Sequence, residues 1–281
     1  MNKMFLSLLL PGVLIPAIAQ QSAPPPVMGI SREAIKEGRS AAHEKVEMDY
    51  ARAFRKANLS NHYLALDTMS GPSEVWFLEA FPSFAAVEQM EKDTQKPPMK
   101  SDLEMLDSRD GELRASSRNM YAVYRKELSY RPDKINIGKA RYFMITSLRV
   151  RLGKQAEFMN GAKMVLGGYE KSNSDMPMVA YEVIAGAPDG LFLFMSPMES
   201  LKTLDGEEAR EKAFMEALGP ENAAQLLKGT GDVFNSMESS LFSVNPRMSY
   251  VSKEVEDVDP GYWRPKPAAT KPAGDAKPTG Q

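Results

Sequence analysis

GRSAAHEKVEMDYARAFRKANLSNHYLALDTMSGPSEVWFLEAFP, residues 38–82, is echoed by residues 153–197, GKQAEFMNGAKMVLGGYEKSNSDMPMVAYEVIAGAPDGLFLFMSP. Gly38 recurs as Gly153, Lys56 as Lys171, Asn58 as Asn173 and Ala65 as Ala180. Gly71 recurs as Gly186, Phe77 as Phe192 and Pro82 as Pro197, all at one offset of 115 residues. Seven matches in one ungapped register exceed what chance supplies, and a fixed-period echo indicates repeated structure. The chain reads as two copies of one unit of about a hundred residues each, the common domain size.

Period and turn signals give each copy the order β-α-β-β-α-β. In the first copy the expected strands are 27–36, 62–69, 74–81 and 120–128, with helices over 40–58 and from Pro82 onward. Ser40 is the expected helix cap and Asn58 the expected stop. Ser70-Gly71-Pro72-Ser73 makes the hairpin turn. In the second copy the strands are 141–152, 178–185, 190–195 and 239–244. Its helices fall over 155–173 and 198–237, the latter broken near Gly219-Pro220 and Gly229-Gly231. The expected fold class is therefore α+β: two tandem ferredoxin-like (βαββαβ) repeats, residues 27–132 and 138–252, packed sheet to sheet as a pseudo-dimeric α+β barrel.

The ends read differently from the middle. Lys3, the apolar run Met4 to Ile15 and Ala17-Ile18-Ala19 have the form of a cleavable signal peptide over residues 1–19. The expectation is a periplasmic or secreted protein, with no stable membrane insertion after cleavage, because the apolar run falls short of the roughly 20 residues a span needs. Residues 20–26 form a flexible lead-in, and residues 259–281, rich in Pro, Lys and Ala, read as a disordered tail. The chain has no cysteine, which removes disulfides, thiol nucleophiles and thiolate metal sites. A formal net charge of −2 gives no electrostatic footprint for nucleic acid.

With those elements placed, the chain resembles the dimeric α+β barrel superfamily, which includes antibiotic-biosynthesis-monooxygenase-like, NIPSNAP-like and haem-handling families. The resemblance rests on the doubled element order, on Gly38 and Gly153 before the first helices, and on the run Glu74 to Phe84 with its Phe81-Pro82-Ser83-Phe84 step into a helix. It spans residues 27–250 and implies the fold; members run from cofactor-free oxygenases through haem enzymes to proteins without known chemistry. It implies no haem here, since duplicated haem-binding relatives place the ligating histidine in their second copy, and the only two histidines are His43 and His62.

Candidate chemistry is sparse. His43 lies on the apolar side of the first helix, where a neutral imidazole can act as a base. Tyr50, Trp76 and Tyr181 are the candidate ligand-binding residues, with Tyr63 and Phe77 beside Trp76; aromatic residues on strands serve cores as readily as pockets. Tyr181 is expected to face inward and Glu182 outward. No phosphate loop, nucleophile elbow or metal-ligand cluster is legible, so no metal and no cofactor are expected. The 19 methionines suit an adaptable apolar site. The leading functional expectation is non-catalytic binding of a small apolar or aromatic ligand by a monomer or homodimer. A cofactor-free monooxygenase-like or isomerase-like enzyme follows it, and an envelope interaction module tethered by the tail comes third. The first two part on whether inward polar groups converge on a cavity.

Overall fold

The computed structural model describes residues 23–264; the signal-peptide reading of residues 1–19 and most of the expected tail lie outside them. Strand β1 (Val27–Ile35) leads through Gly38 into helix α1 (Ser40–Ala57), and the hairpin β2 (His62–Thr68) and β3 (Glu74–Phe81) follows. Helices α2 (Phe84–Thr94) and α3 (Met99–Gly111) precede β4 (Arg114–Tyr124). After a run of short 3-10 turns, the second half sets out β5 (Tyr142–Val150), α4 (Gln155–Ser172), β6 (Val179–Ala185) and β7 (Leu191–Met198). It continues through α5 (Glu207–Leu218), α6 (Pro220–Val233) and β8 (Phe234–Tyr250), and ends in α7 (Lys253–Val258) and α8 (Pro260–Trp263).

The eight strands form one closed antiparallel barrel in the order β1-β3-β2-β8-β5-β7-β6-β4. Each half contributes four neighbouring strands, and the halves join by the pairs β2–β8 and β4–β6. The expected face-to-face packing of two sheets is thus corrected in one respect: their edges also pair, because closure satisfies backbone groups that an open edge leaves unpaired. The ring closes within one chain.

Strand alternation divides the apolar residues into three cores. Ile30, Leu66, Trp76, Leu78, Phe143, Ile145, Tyr181, Leu193 and Phe242 fill the barrel interior. Phe54, Tyr63, Val75, Phe77 and Tyr250 join the outer face of the first half to its helices, and Phe158, Phe192 and Val233 do so in the second. Three of the seven echoed pairs have a backbone reason. Gly38 and Gly153, Asn58 and Asn173, and Gly71 and Gly186 all take positive φ, the region open to Gly and tolerated by Asn. Gly186 is doubly constrained, since a Cβ there would sit 2.0 Å from the Asn119 carbonyl oxygen.

Several boundaries differ from the sequence expectation. Strand β4 ends at Tyr124 rather than Leu128 and begins at Arg114, and β8 spans 17 residues rather than 239–244. The stretches added at their starts, Arg114 to Asn119 and Phe234 to Glu238, are mostly polar and exposed, and hydrogen bonds to β1 and β5 hold them. Helix α6 runs through Gly229 and on to Val233 without a break. The position before α1 is Arg39, without a side-chain cap bond, so Ser40 starts the helix rather than capping it.

The expected disordered tail over residues 259–281 is corrected at its start. Asp259 accepts from the Tyr262 backbone and caps α8; Trp263 is buried in the barrel core. Its Nε1 donates to the Gly138 carbonyl at 2.8 Å, and Tyr262 donates to the Val244 carbonyl at 2.7 Å. Arg141 covers the Tyr262 ring at 3.6 Å and pairs with Asp259. Two large aromatic side chains thus bury enough area to order a segment of otherwise tail-like composition. Trp263→Phe keeps the ring in the core but removes the shorter of two hydrogen bonds to the Gly138 carbonyl, leaving the one from Arg141 at 3.3 Å, and is expected to cost about 1 kcal/mol in a urea titration.

Candidate functional site

In the first half, β1 alternation turns Gly29, Ser31 and Glu33 outward toward the helices while Ile30 faces the barrel core. His43 and Glu47, one turn apart on α1, face the same layer, and Asp110 enters from the end of α3. Four residues from Asp110, at the start of β4, Arg114 reaches back over the gap. Glu33, His43, Glu47 and Asp110 are all buried, His43 and Asp110 at 1% exposure.

Arg114 binds one oxygen of each of two acids: Nη1 donates to Glu33 Oε1 at 2.8 Å and Nε to Asp110 Oδ2 at 2.7 Å. The other oxygens surround His43. Its Nε2 lies 2.9 Å from Glu33 Oε2, 3.5 Å from Asp110 Oδ1 and 3.9 Å from Glu47 Oε1. Burial, then the charges of Glu33 and Asp110, push the Glu47 carboxyl well above the usual range. The Asp110 carboxyl is raised likewise, by burial and then Glu33. Tyr50 donates to Asp107 at the edge of this group, and burial followed by that hydrogen bond holds its hydroxyl protonated.

This cluster forms one end of a cavity of about 350 Å³ between the sheet and the helices. Tyr50, Phe54, Tyr63 and Phe77 give it aromatic walls. At its other end Glu79 of β3 and Tyr121 of β4 stand on either side of Gly29, their common partner on β1. Gly29 keeps that space open, since a Cβ there would come within 3.2 Å of Glu79 Oε2. Burial, with a smaller contribution from Glu91 on α2, raises the Glu79 carboxyl to about 7. Asn61 offers it only a long 3.4 Å hydrogen bond.

The fold brings Tyr50 into this cavity, sets His43 behind the acids at its end rather than in its lining, and sends the other two sequence candidates elsewhere. Trp76 faces the barrel core, its ring 5.1 Å from Phe242 and covered by Arg32, with Nε1 donating to Glu74 at 2.8 Å. It cannot share a wall with Tyr50, Tyr63 and Phe77, because it adjoins Phe77 in a strand and neighbours point to opposite faces. Tyr181 is also in the barrel core, fully buried, its hydroxyl donating to the Pro25 carbonyl at 3.1 Å. Glu182 faces the other way and pairs with Arg125.

The sequence reading passed over Glu33, Glu47, Glu79, Asp110 and Arg114. Two signals were available: a Glu one helical turn after His43 on the same face, and a Glu on the Val75-Phe77-Phe81 face of β3. The expectation of no metal-ligand cluster also meets a different arrangement, since His43, Glu33, Glu47 and Asp110 bring four donor atoms within 4.8 Å of one another.

The second half has a counterpart cavity of about 830 Å³ between its sheet and α4 and α5. Met144, Met176, Met178, Phe194 and Phe214 line it beside Arg210. The Nε of Arg210 is buried and has no hydrogen-bond partner.

An eight-stranded closed antiparallel barrel with helices on its outer face defines an α+β barrel protein. One solved structure shares that fold, and others are similar to the chain. An anthrone oxidase-like protein superposes with a TM-score of 0.54 at 13% identity, covering 81% of this chain and 94% of its own. A proposed monooxygenase from Fusobacterium nucleatum subsp. nucleatum gives 0.49 at 9% identity, with coverages of 79% and 93%. A mutant chlorite dismutase from Candidatus Nitrospira defluvii gives 0.48 at 10% identity, with coverages of 83% and 96%. No protein-family model and no curated protein matches the sequence. At these identities the likeness concerns the fold.

Proposed function

We propose that this chain is an enzyme that moves a proton on a small, enolisable aromatic substrate, held in the first-half cavity with Glu79 as general base. The observation that carries the reading is Glu79 itself: a largely desolvated carboxyl raised to about 7, facing an aromatic-walled space that Gly29 leaves open. A base titrating near the working pH combines adequate ionisation with adequate basicity. Tyr63 keeps its proton chiefly through burial and supplies a hydroxyl donor for the oxygen on which charge develops. Glu79 takes the proton from the activated carbon or phenol, and Phe54 and Phe77 exclude water from the resulting anion.

Convergence of polar groups on one cavity places this reading ahead of the non-catalytic binding expected from sequence. The name of the anthrone oxidase-like neighbour suggests a substrate type for the first assays: fused aromatic ketones with an acidic methylene. The test is solvent deuterium incorporation into such ketones, with oxygen uptake followed in parallel. Wild type should exchange and Glu79→Gln should not; equal exchange by both would overturn the assignment.

The Met-lined second-half cavity favours a second role, retention of an apolar ligand. We also infer that the halves are two copies of one ferredoxin-like βαββαβ unit, which the shared strand order and the matched positive-φ positions support. Export through the N-terminal leader, to the periplasm or beyond, belongs to the same proposal.

A further inference from the structure

We propose that Glu33, His43, Glu47 and Asp110 bind one divalent transition-metal ion, with His43 Nε2, Glu33 Oε2, Glu47 Oε1 and Asp110 Oδ1 as its ligands. Three observations meet at this point. The first is spacing. A tetrahedral shell with bonds of about 2.1 Å has edges of about 3.4 Å. The three oxygens stand 2.9, 3.5 and 3.9 Å from Nε2, so an ion would displace the proton that Nε2 and Glu33 Oε2 share and close the set by small side-chain shifts.

The second is an orphaned acceptor. Asp110 Oδ1 is buried without a hydrogen-bond partner and points into the centre of the group. A buried carboxylate oxygen left unpaired is costly, and native structures rarely keep one without a reason. A cation coordinated there supplies the missing partner.

The third is the way two of the acids are already held. Arg114 already occupies the outer oxygens of Glu33 and Asp110, so it orients two ligands from behind and leaves their inner oxygens to the ion. One imidazole with three carboxylates, and no thiolate, suits Zn²⁺ or Mn²⁺ rather than a soft ion.

The inference deepens the reading of the cavity, and rests on the proton-transfer proposal only for the ion's use, which would be to polarise a substrate oxygen. Binding itself needs no substrate to be read. The chain from Gln20 to Gln281, freed of metal with a chelator, is titrated calorimetrically with Zn²⁺ and with Mn²⁺. One ion per chain is expected, at micromolar dissociation constant or tighter for Zn²⁺. Glu47→Gln and Asp110→Asn preserve shape and remove one charged ligand each, so each should weaken binding 10- to 100-fold, with circular dichroism showing both folded. Should Asp110→Asn fail to fold, Glu47→Gln alone carries the comparison. Absence of a binding isotherm for either ion at millimolar concentration, or unchanged affinity in the folded variants, would overturn the site. Glu79→Gln separates the two proposals: it should bind the ion like wild type while losing proton exchange. Loss of exchange without any metal binding would leave the base assignment standing and remove the metal site.

Discussion

Replacing Arg114 by methionine is expected to destabilise the protein by about 3–5 kcal/mol, the cost of leaving buried charges uncompensated when one partner is removed. The guanidinium is the group that holds both Glu33 and Asp110, at 2.8 and 2.7 Å, and both acids are nearly inaccessible to water. Methionine retains much of the apolar stem, so the loss reports charge and hydrogen bonding rather than a cavity. Lysine keeps the charge but cannot reach both acids with a fixed planar fork, and should cost about half as much. The decisive control is the double variant Glu33→Gln with Arg114→Met, which removes one charge of each sign. It should recover 1–3 kcal/mol relative to the two single costs added together, the coupling expected of direct partners. Urea titrations at fixed pH and salt, with chelator present, measure all five proteins. A cost below 1 kcal/mol for Arg114→Met would show that water already compensates the acids.

How much of this was legible in the sequence follows from the kind of signal each residue gives. Gly38, Asn58 and Gly71 announced themselves through echoes at Gly153, Asn173 and Gly186, because positive φ restricts the residue type twice over. The barrel interior was readable from apolar alternation in strands such as β3 and β7. The polar starts of β4 and β8 were not, since ladder hydrogen bonds rather than an apolar face hold Ser116 to Asn119 and Ser236 to Glu238 in place. Trp76 misled because aromatic residues in β3 fall on both faces, and reading Trp76 with Phe77 ignored the alternation that separates them. The buried acids were hidden for a different reason. Glu33, His43 and Asp110 lie on three elements, and Asp110 is 77 positions from Glu33 in a helix whose composition looks like a solvated face. Only the closing of α3 over β1 brings them together. Trp263 was invisible in the same sense: one tryptophan in a Pro- and Lys-rich stretch gives no periodicity, and its partner carbonyl is 125 residues away.

Glu79→Gln should raise stability and abolish exchange at once, a combination that a residue serving the fold alone would not give. Consider stability first. The unfolded carboxyl titrates near 4.5, the folded one near 7. Between those values the folded state holds a proton that the unfolded state has released, so stability falls as pH rises through that window and levels off above it. The full shift corresponds to roughly 3 kcal/mol, and partial access to water brings the expected figure to about 2 kcal/mol. Glutamine stays neutral throughout. The variant should therefore match wild type near pH 4 and exceed it by about 2 kcal/mol at pH 8, by urea titration at each pH. Activity runs the opposite way. A general base must be ionised, so wild-type exchange should climb with pH, reach half its limit near 7 and then plateau. Glu79→Gln should lose 10²- to 10⁴-fold, the contribution of a positioned base. Glu79→Asp, one methylene shorter, should keep a pH-dependent rise at reduced rate, because the carboxylate remains opposite the space at Gly29. The groups facing Glu79 are Glu91 on α2, Tyr121 on β4, and Asn61 and Tyr63 at β2. Glu91→Gln should then move the midpoint of the activity profile down, since it removes the charge that adds to the effect of burial. A profile that stayed put in Glu91→Gln, or a Glu79→Gln protein no more stable at pH 8 than wild type, would place the titrating group elsewhere in the cavity.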